Sequence, residues 1–276
     1  MGQQLDDELK MYQYITRYSR HPGSKAIRSL LDSFHIDGPE DKHQCLVHPP
    51  LFENVGEFLH RNPIQRLPKP VLAFTLRQIF LALDYLHTEC QVIHTDIKAN
   101  NIMFELADDS VFAKFEQDEL QDPSPRKGSD GRTIYLSREL AMIPGKLAGY
   151  LSSAGSLQIW NIFEGGSLFT GQDPEFKTCR SRAHLAEMIN LLGPPPPDFI
   201  ARANQREKFF TDGGEFRHPI LLRDLTPVDR RETALEGEDK ESFLRMMRRM
   251  LQWEPGKRSS AKELAEDEWI RKQIGL

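Results

Sequence analysis

The run Val92-Ile93-His94-Thr95-Asp96-Ile97-Lys98-Ala99-Asn100-Asn101-Ile102-Met103 decides how the rest of the chain reads. It sets a carboxylate, a cation two residues on and a carboxamide three residues further between two apolar, strand-like flanks. Each side chain has its own chemical capacity. Asp96 can accept or orient the proton of an attacking hydroxyl. Lys98 can neutralise negative charge that builds on a reacting group. Asn101 offers an amide oxygen of the kind that a hard cation such as Mg²⁺ prefers. The competing reading is a plain polar loop, with Lys98 in solvent and Asn101 in a turn. Residue types, spacing and flanks together favour the chemical one.

Working outward, 70–87 reads as a long helix with Pro70 suited to its first turn. Its stripe of Val71, Phe74, Leu76, Ile79, Leu83 and Leu86 is wide enough for a buried helix. That helix runs straight into the polar loop. Nearer the start, Leu5, Leu9, Tyr12 and Ile15 give 5–18 a helical period, ended by His21-Pro22-Gly23. A strand is expected over 26–36, a turn over 37–41, an antiparallel partner over 44–47 and a short helix over 52–60. The stretch 122–130 is polar and Pro-rich and reads as an exposed insert. The stretch 144–156 is rich in Gly, Ser and Ala and has little to bury. Further helices are expected over 184–193, stopped by Gly193 and four prolines, over 241–251, and from Ser260 to Ile270, where Ser260 and Glu263 stand at capping-box spacing.

Composition bounds the function. The 276 residues are 39% hydrophobic and 28% charged, with a net charge of −5 and a pI near 6.0. A single two-lobed unit is the natural expectation, and there is no electrostatic case for nucleic acid. Cys45, Cys90 and Cys179 are scattered, which fits a reducing compartment and not structural zinc. The first residues lack an apolar signal region, and Asp6 stands where a Gly2 acylation signal wants Ser or Thr. No apolar run is long enough for a membrane span. A soluble protein of the cytoplasm or nucleus is expected.

The loop 92–103 resembles the catalytic loop of eukaryotic protein kinases, written H-R-D-x-K-x-x-N in its Ser/Thr form. Two further stretches resemble the C-lobe of that family. Residues 251–264 (Leu-Gln-Trp-Glu-Pro-Gly-Lys-Arg-Ser-Ser-Ala-Lys-Glu-Leu) match its closing motif. Residues 188–195 match a segment typical of the group that holds the cyclin-dependent, mitogen-activated and SR-protein kinases. With Thr95 after His94, the chain looks most like the SR-protein kinases, in a fungal-like form. The resemblance implies an α+β, protein kinase-like fold: a mainly helical C-lobe over 51–276, and a partial N-lobe over 1–50 that keeps the helix C and a β-hairpin. It implies Asp96 and Lys98 as catalytic residues, Asn101 as a Mg²⁺ ligand at the cofactor, ATP with Mg²⁺ as cofactors, and a protein as substrate or partner. Glu8 matches the helix C glutamate that pairs with the phosphate-binding Lys; an ordinary exposed helical Glu is the equal alternative. Thr95 replaces the usual Arg and cannot pair with an activation-loop phosphate as Arg does.

The departures carry as much weight. The chain has no G-x-G-x-x-G and no V-A-I-K-like strand ahead of Glu8. After Asn101, none of Asp108, Asp109, Asp118 and Asp130 is followed by Phe-Gly, and there is no A-P-E. Gln158-Ile159-Trp160-Asn161 resembles the start of the helix that anchors the catalytic loop, with Gln158 where Asp is usual. Phe163-Glu164-Gly165-Gly166 then follows at once. An internal deletion around 140–160 accounts for this. The expected function is ATP-dependent Ser/Thr phosphorylation of protein hydroxyls with impaired transfer. The alternative is an inactive, pseudokinase-like binding module or an incomplete coding sequence. Lys98 and the C-lobe motifs oppose a small-molecule phosphotransferase. Pro49 and Pro50 fall near the expected inter-lobe hinge, where they lack the N–H that a purine would accept from. Arg258, which would pair with the missing A-P-E glutamate, is expected either to turn to solvent or to find a substitute acid such as Glu164 or Glu139.

Overall fold

Helix Lys69–Thr88 runs through the centre of the molecule. The computed structural model describes residues 2–17, 19–38, 41–106, 110–129, 131–138, 148–151, 159–164, 166–222 and 228–276. In chain order the helices are α1 (Gly2–Ile15), α2 (Val55–Arg61), α3 (Lys69–Thr88), α4 (Ser110–Gln121), α5 (Ile159–Glu164), α6 (Ser181–Leu192), α7 (Pro197–Ala201), α8 (Arg206–Phe209), α9 (Val228–Arg231), α10 (Gly237–Met250), α11 (Ala261–Ala265) and α12 (Glu268–Ile274). The strands are β1 (Asp32–Asp37), β2 (Lys42–Val47), β3 (Leu51–Asn54), β4 (Ile102–Glu105), β5 (Arg126–Ser129), β6 (Arg132–Tyr135) and β7 (Ala148–Leu151). They form the hairpins β1–β2 and β5–β6 and an antiparallel sheet in the order β3-β4-β7.

The stripe expected on α3 is covered: Leu76, Ile79 and Leu86 are buried and Val71, Phe74 and Leu83 half-buried. Leu72, Ala73, Phe80, Ala82 and Tyr85 are buried as well, so the helix is enclosed on more than one side. The 3₁₀ turn Pro22–Ala26, α5, α11, α12 and β7 pack around it. On the C-terminal side the rings of Phe163, Phe243 and Trp269 join the core, with centroids 4.8 and 5.0 Å apart along the row.

Several boundaries differ from expectation, each for a local reason. The strand expected over 26–36 is shorter. Gly23 and Ala26 are instead drawn onto α3 in the 3₁₀ turn, and pairing begins only at Asp32, opposite Val47. The helix expected over 52–60 begins at Val55, because Leu51 pairs with Glu105 and Asn54 with Met103. Asn54 then caps α2, its Oδ1 accepting from the Glu57 N–H at 2.8 Å. The last helix is two: after the Ser260–Glu263 capping box, Asp267 caps a fresh start at Glu268. The insert 122–130 contains the short strand β5, mostly exposed, yet Ser124 is buried. Its N–H and hydroxyl both donate to the Glu119 carboxylate, at 2.7 and 2.6 Å. With Arg138 alongside, these bonds hold the Glu119 carboxyl down at about 2. The Gly/Ser-rich stretch 144–156 falls outside the described residues except for β7. None of the helices among the described residues is long and apolar enough to cross a membrane.

Arg258 has turned outward. Its Nε donates to the Gln252 carbonyl at 2.9 Å and its Nη2 to the Trp253 carbonyl at 3.4 Å. Glu164, one of the two acids offered as a substitute, is held by Arg66 at 3.4 Å and by Thr233. The other, Glu139, lies outside the described residues.

Two stability outcomes are expected. A Cβ on Gly23 would sit 1.8 Å from the Leu81 carbonyl oxygen. Gly23→Ala should therefore lower stability by about 1–3 kcal/mol in a urea melt, the usual cost of overpacking; an unchanged midpoint would mean the turn does not press on α3. Arg258→Met should cost only about 1 kcal/mol, because exposed bonds to carbonyls are all that is lost. A loss of about 3–5 kcal/mol would reveal a buried ion pair instead.

Candidate active site

The end of α3 delivers the catalytic loop. The Cys90 N–H bonds the Tyr85 carbonyl at 3.2 Å and the Val92 N–H bonds the Leu86 carbonyl at 2.8 Å, so the chain turns back along the helix. Ile97, Ile102 and Phe104 are buried and pin the loop from below. The polar residues between them face outward. Val92 and Ile93 are not a strand, contrary to expectation: Ile93 is 78% exposed and has no ladder partner among the described residues.

Asp96, Lys98 and Asn101 meet. Lys98 Nζ lies 2.8 Å from Asp96 Oδ2. Asn101 Nδ2 donates to the same Oδ2 and to the Asp96 backbone carbonyl, both at 2.9 Å. Both acceptors are oxygens that cannot donate, so the amide nitrogen must face them and Asn101 Oδ1 must point away. That leaves two acceptor atoms outside the knot: Asp96 Oδ1 for an incoming hydroxyl, and Asn101 Oδ1 for a cation. The turn itself is closed by the Asn101 N–H on the Lys98 carbonyl at 2.8 Å. Lys98, with the help of Asn101, holds the Asp96 carboxyl below the usual carboxylate range, so it stays ionised at neutral pH. His94 Nδ1 accepts from the Asp96 N–H at 3.1 Å, and burial pushes its own pKa down.

One positioning residue escaped the sequence reading. A Cβ on Gly56 would stand 2.0 Å from Asn100 Oδ1, so the missing side chain at residue 56 leaves room for the Asn100 side chain against α2. A glycine inside an otherwise helical run was the available signal. Glu8 is exposed on α1. That helix is tied to the C-terminal end of α3, through Tyr14 Oη on the Cys90 carbonyl at 3.1 Å and Tyr85 Oη on the Ile15 carbonyl at 3.0 Å. Glu8 is not brought into the Asp96 knot.

No family model matches the chain. Relatives do. A serine/threonine protein kinase of Aspergillus fumigatus is 32% identical, over 97% of this chain and 75% of its own length. The serine/threonine-protein kinase SRPK of Physarum polycephalum is 27% identical over 96% of this chain and 75% of its own length. The human SRSF protein kinase 3 is 35% identical over 37% of this chain and 18% of its own length. A crystal structure of a kinase domain superposes with a TM-score of 0.65, covering 98% of this chain and 84% of that one at 17% identity. The chain belongs to the serine/threonine protein kinase family. The alignment to the Aspergillus relative spans 310 positions, more than the 276 residues present, so that relative holds residues within the shared region that this chain lacks.

The His94 hydrogen bond makes a pH outcome testable. A depressed pKa means that the folded loop favours neutral imidazole, so the contribution is whole above about 6.5 and is lost as pH falls through the lower folded value. A ring-proton NMR titration should place the His94 midpoint below 6.5; a midpoint at or above that value would mean that the Asp96 charge outweighs the burial of the ring.

Proposed function

We propose that this chain keeps the substrate side of a protein kinase site and has lost efficient phosphoryl transfer. One observation carries the reading: the Asp96–Lys98–Asn101 knot is complete, while the sequence after Asn101 holds no D-F-G. ATP with Mg²⁺ would supply the transferable phosphoryl group and the positive charge that steadies it. The residues present fit only part of that group. Asn101 Oδ1 suits one Mg²⁺ contact, but among the described residues no group of three or more His, Cys, Asp and Glu stands together. No transfer step is therefore derived through it. What the chain's own residues do is narrower. Asp96 Oδ1 orients a Ser or Thr hydroxyl of a protein and takes its hydrogen bond. Lys98 keeps that carboxylate ionised and sits within reach of charge on the reacting group. Glu8, free on α1, is the acid available for a Lys–Glu pair with the helix C role. The partner is a protein in the cytoplasm or nucleus.

Two observations favour a second reading, in which residues of the kinase core are missing from an otherwise active gene product. The aligned span is longer than the chain. Ile93, an apolar residue beside the catalytic loop, stands uncovered. Recovered coding sequence that carries both D-F-G and a Gly-rich loop would identify an active kinase gene and an incomplete chain.

Calorimetry and radiolabel transfer separate the readings. The chain should show no saturable ATP·Mg²⁺ binding in the micromolar range and only trace transfer to Ser-containing peptides, unaltered by Asp96→Asn. Each lost charge-stabilising contact costs several kcal/mol, and every 1.4 kcal/mol is a factor of ten in rate. Micromolar ATP affinity, together with transfer abolished by Asp96→Asn, would overturn the impaired reading.

A further inference from the structure

A groove of about 420 Å³ opens between the start of α6 and the end of α8, a size typical of ligand clefts. Arg180, Ser181 and Arg182 form one wall; Lys208, Phe209 and His218 form the other. No carboxylate lines it, although the chain as a whole carries a net charge of −5.

The cations have different jobs. Arg182 is already neutralised. Its Nε and Nη2 lie 2.5 and 3.0 Å from the carboxylate of Asp173, whose side chain is fully buried, and it also meets Glu175. It builds the wall. Arg180 and Lys208 are different, because neither has a carboxylate within 4.0 Å among the described residues. Aromatic rings hold them instead. The Arg180 guanidinium lies 3.8 Å from the Phe176 ring centroid, and Lys208 Nζ lies 5.2 Å from that of Phe209. A ring orients a cation without cancelling its charge. His218, packed on Phe216 at 5.6 Å, adds a ring N–H donor.

We propose that this groove docks an Asp/Glu-rich segment of a protein partner. The positive groups come from three separate stretches of chain and are spread along two walls, which suits several single carboxylates better than one phosphate. Ser181 supplies a neutral hydrogen-bonding group beside them. Nucleic acid fits less well, since one face each of Phe176 and Phe209 already carries a cation and the chain as a whole is acidic. The docking stands apart from the catalytic loop and does not depend on whether the chain transfers phosphate.

Fluorescence anisotropy with the full chain tests it. The probe is a labelled octapeptide of alternating Glu and Ser, set against the same peptide with Gln for Glu. The Glu peptide should bind and the Gln peptide should not. Raising salt from about 50 to about 300 mM should weaken binding severalfold. The double variant Arg180→Glu, Lys208→Glu should weaken it at least tenfold. Both side chains are exposed, and a thermal melt checks that the double variant folds. If it does not, the single variants Arg180→Gln and Lys208→Gln must each weaken binding. Equal binding of the Gln peptide, undiminished binding by folded variants, or tighter binding of a single-stranded oligonucleotide of equal charge would each overturn the proposal.

Discussion

The burial of α3 is the constraint on which the rest of this molecule depends. Leu72, Ala73, Leu76, Ile79 and Tyr85 have no measurable exposure, and a buried Leu or Ile side chain contributes roughly 1.5–3 kcal/mol relative to exposure. The turn at Gly23, the helices α11 and α12 and the short helix α5 all take their places against this one surface. The catalytic loop inherits its position from the same helix, because the chain leaving Thr88 bonds back to the Tyr85 and Leu86 carbonyls. A polar loop held at one end by a buried helix and at the other by Ile102 and Phe104 loses little further entropy on adopting a single shape. Such preorganisation is what a site for orienting a hydroxyl needs.

Much of this was legible in the sequence. The apolar spacing along 70–87, the Ser260–Glu263 box and the positive-φ stop at Gly193 read correctly because they are local signals, and local physics decides them. The spacing of Asp96, Lys98 and Asn101 likewise brought three side chains to one knot. What was not legible depended on contacts distant in sequence. Residues 26–31 have strand composition, but Ala26 and Ile27 pack onto α3, and Leu51–Asn54 is a strand only because β4 comes to lie alongside it. The break before Glu268 turns on Asp267, whose N–H–accepting side chain outweighed the continuing helical period. Gly56 mattered for the absence of an atom, which only the approach of Asn100 reveals.

The site has an asymmetry of physical interest. Asp96, Lys98 and Asn101 satisfy one another through direct bonds between their own side chains and main chain. The D-F-G of the family, absent from the sequence after Asn101, is no part of this knot, so a kinase-family chain can show a recognisable catalytic loop without it. Arg258 shows the same logic from the opposite side: with no A-P-E in the sequence, its guanidinium settles on main-chain carbonyls and leaves no buried charge behind.

Native-state hydrogen exchange tests the central claim, that α3 holds a preorganised catalytic loop in place, most directly. Amides across Leu76 to Leu86 should exchange only through global unfolding, and the Val92 and Asn101 amides should show clear protection without any nucleotide present. Exchange of Val92 and Asn101 at the rate of a free peptide, with α3 still protected, would contradict it.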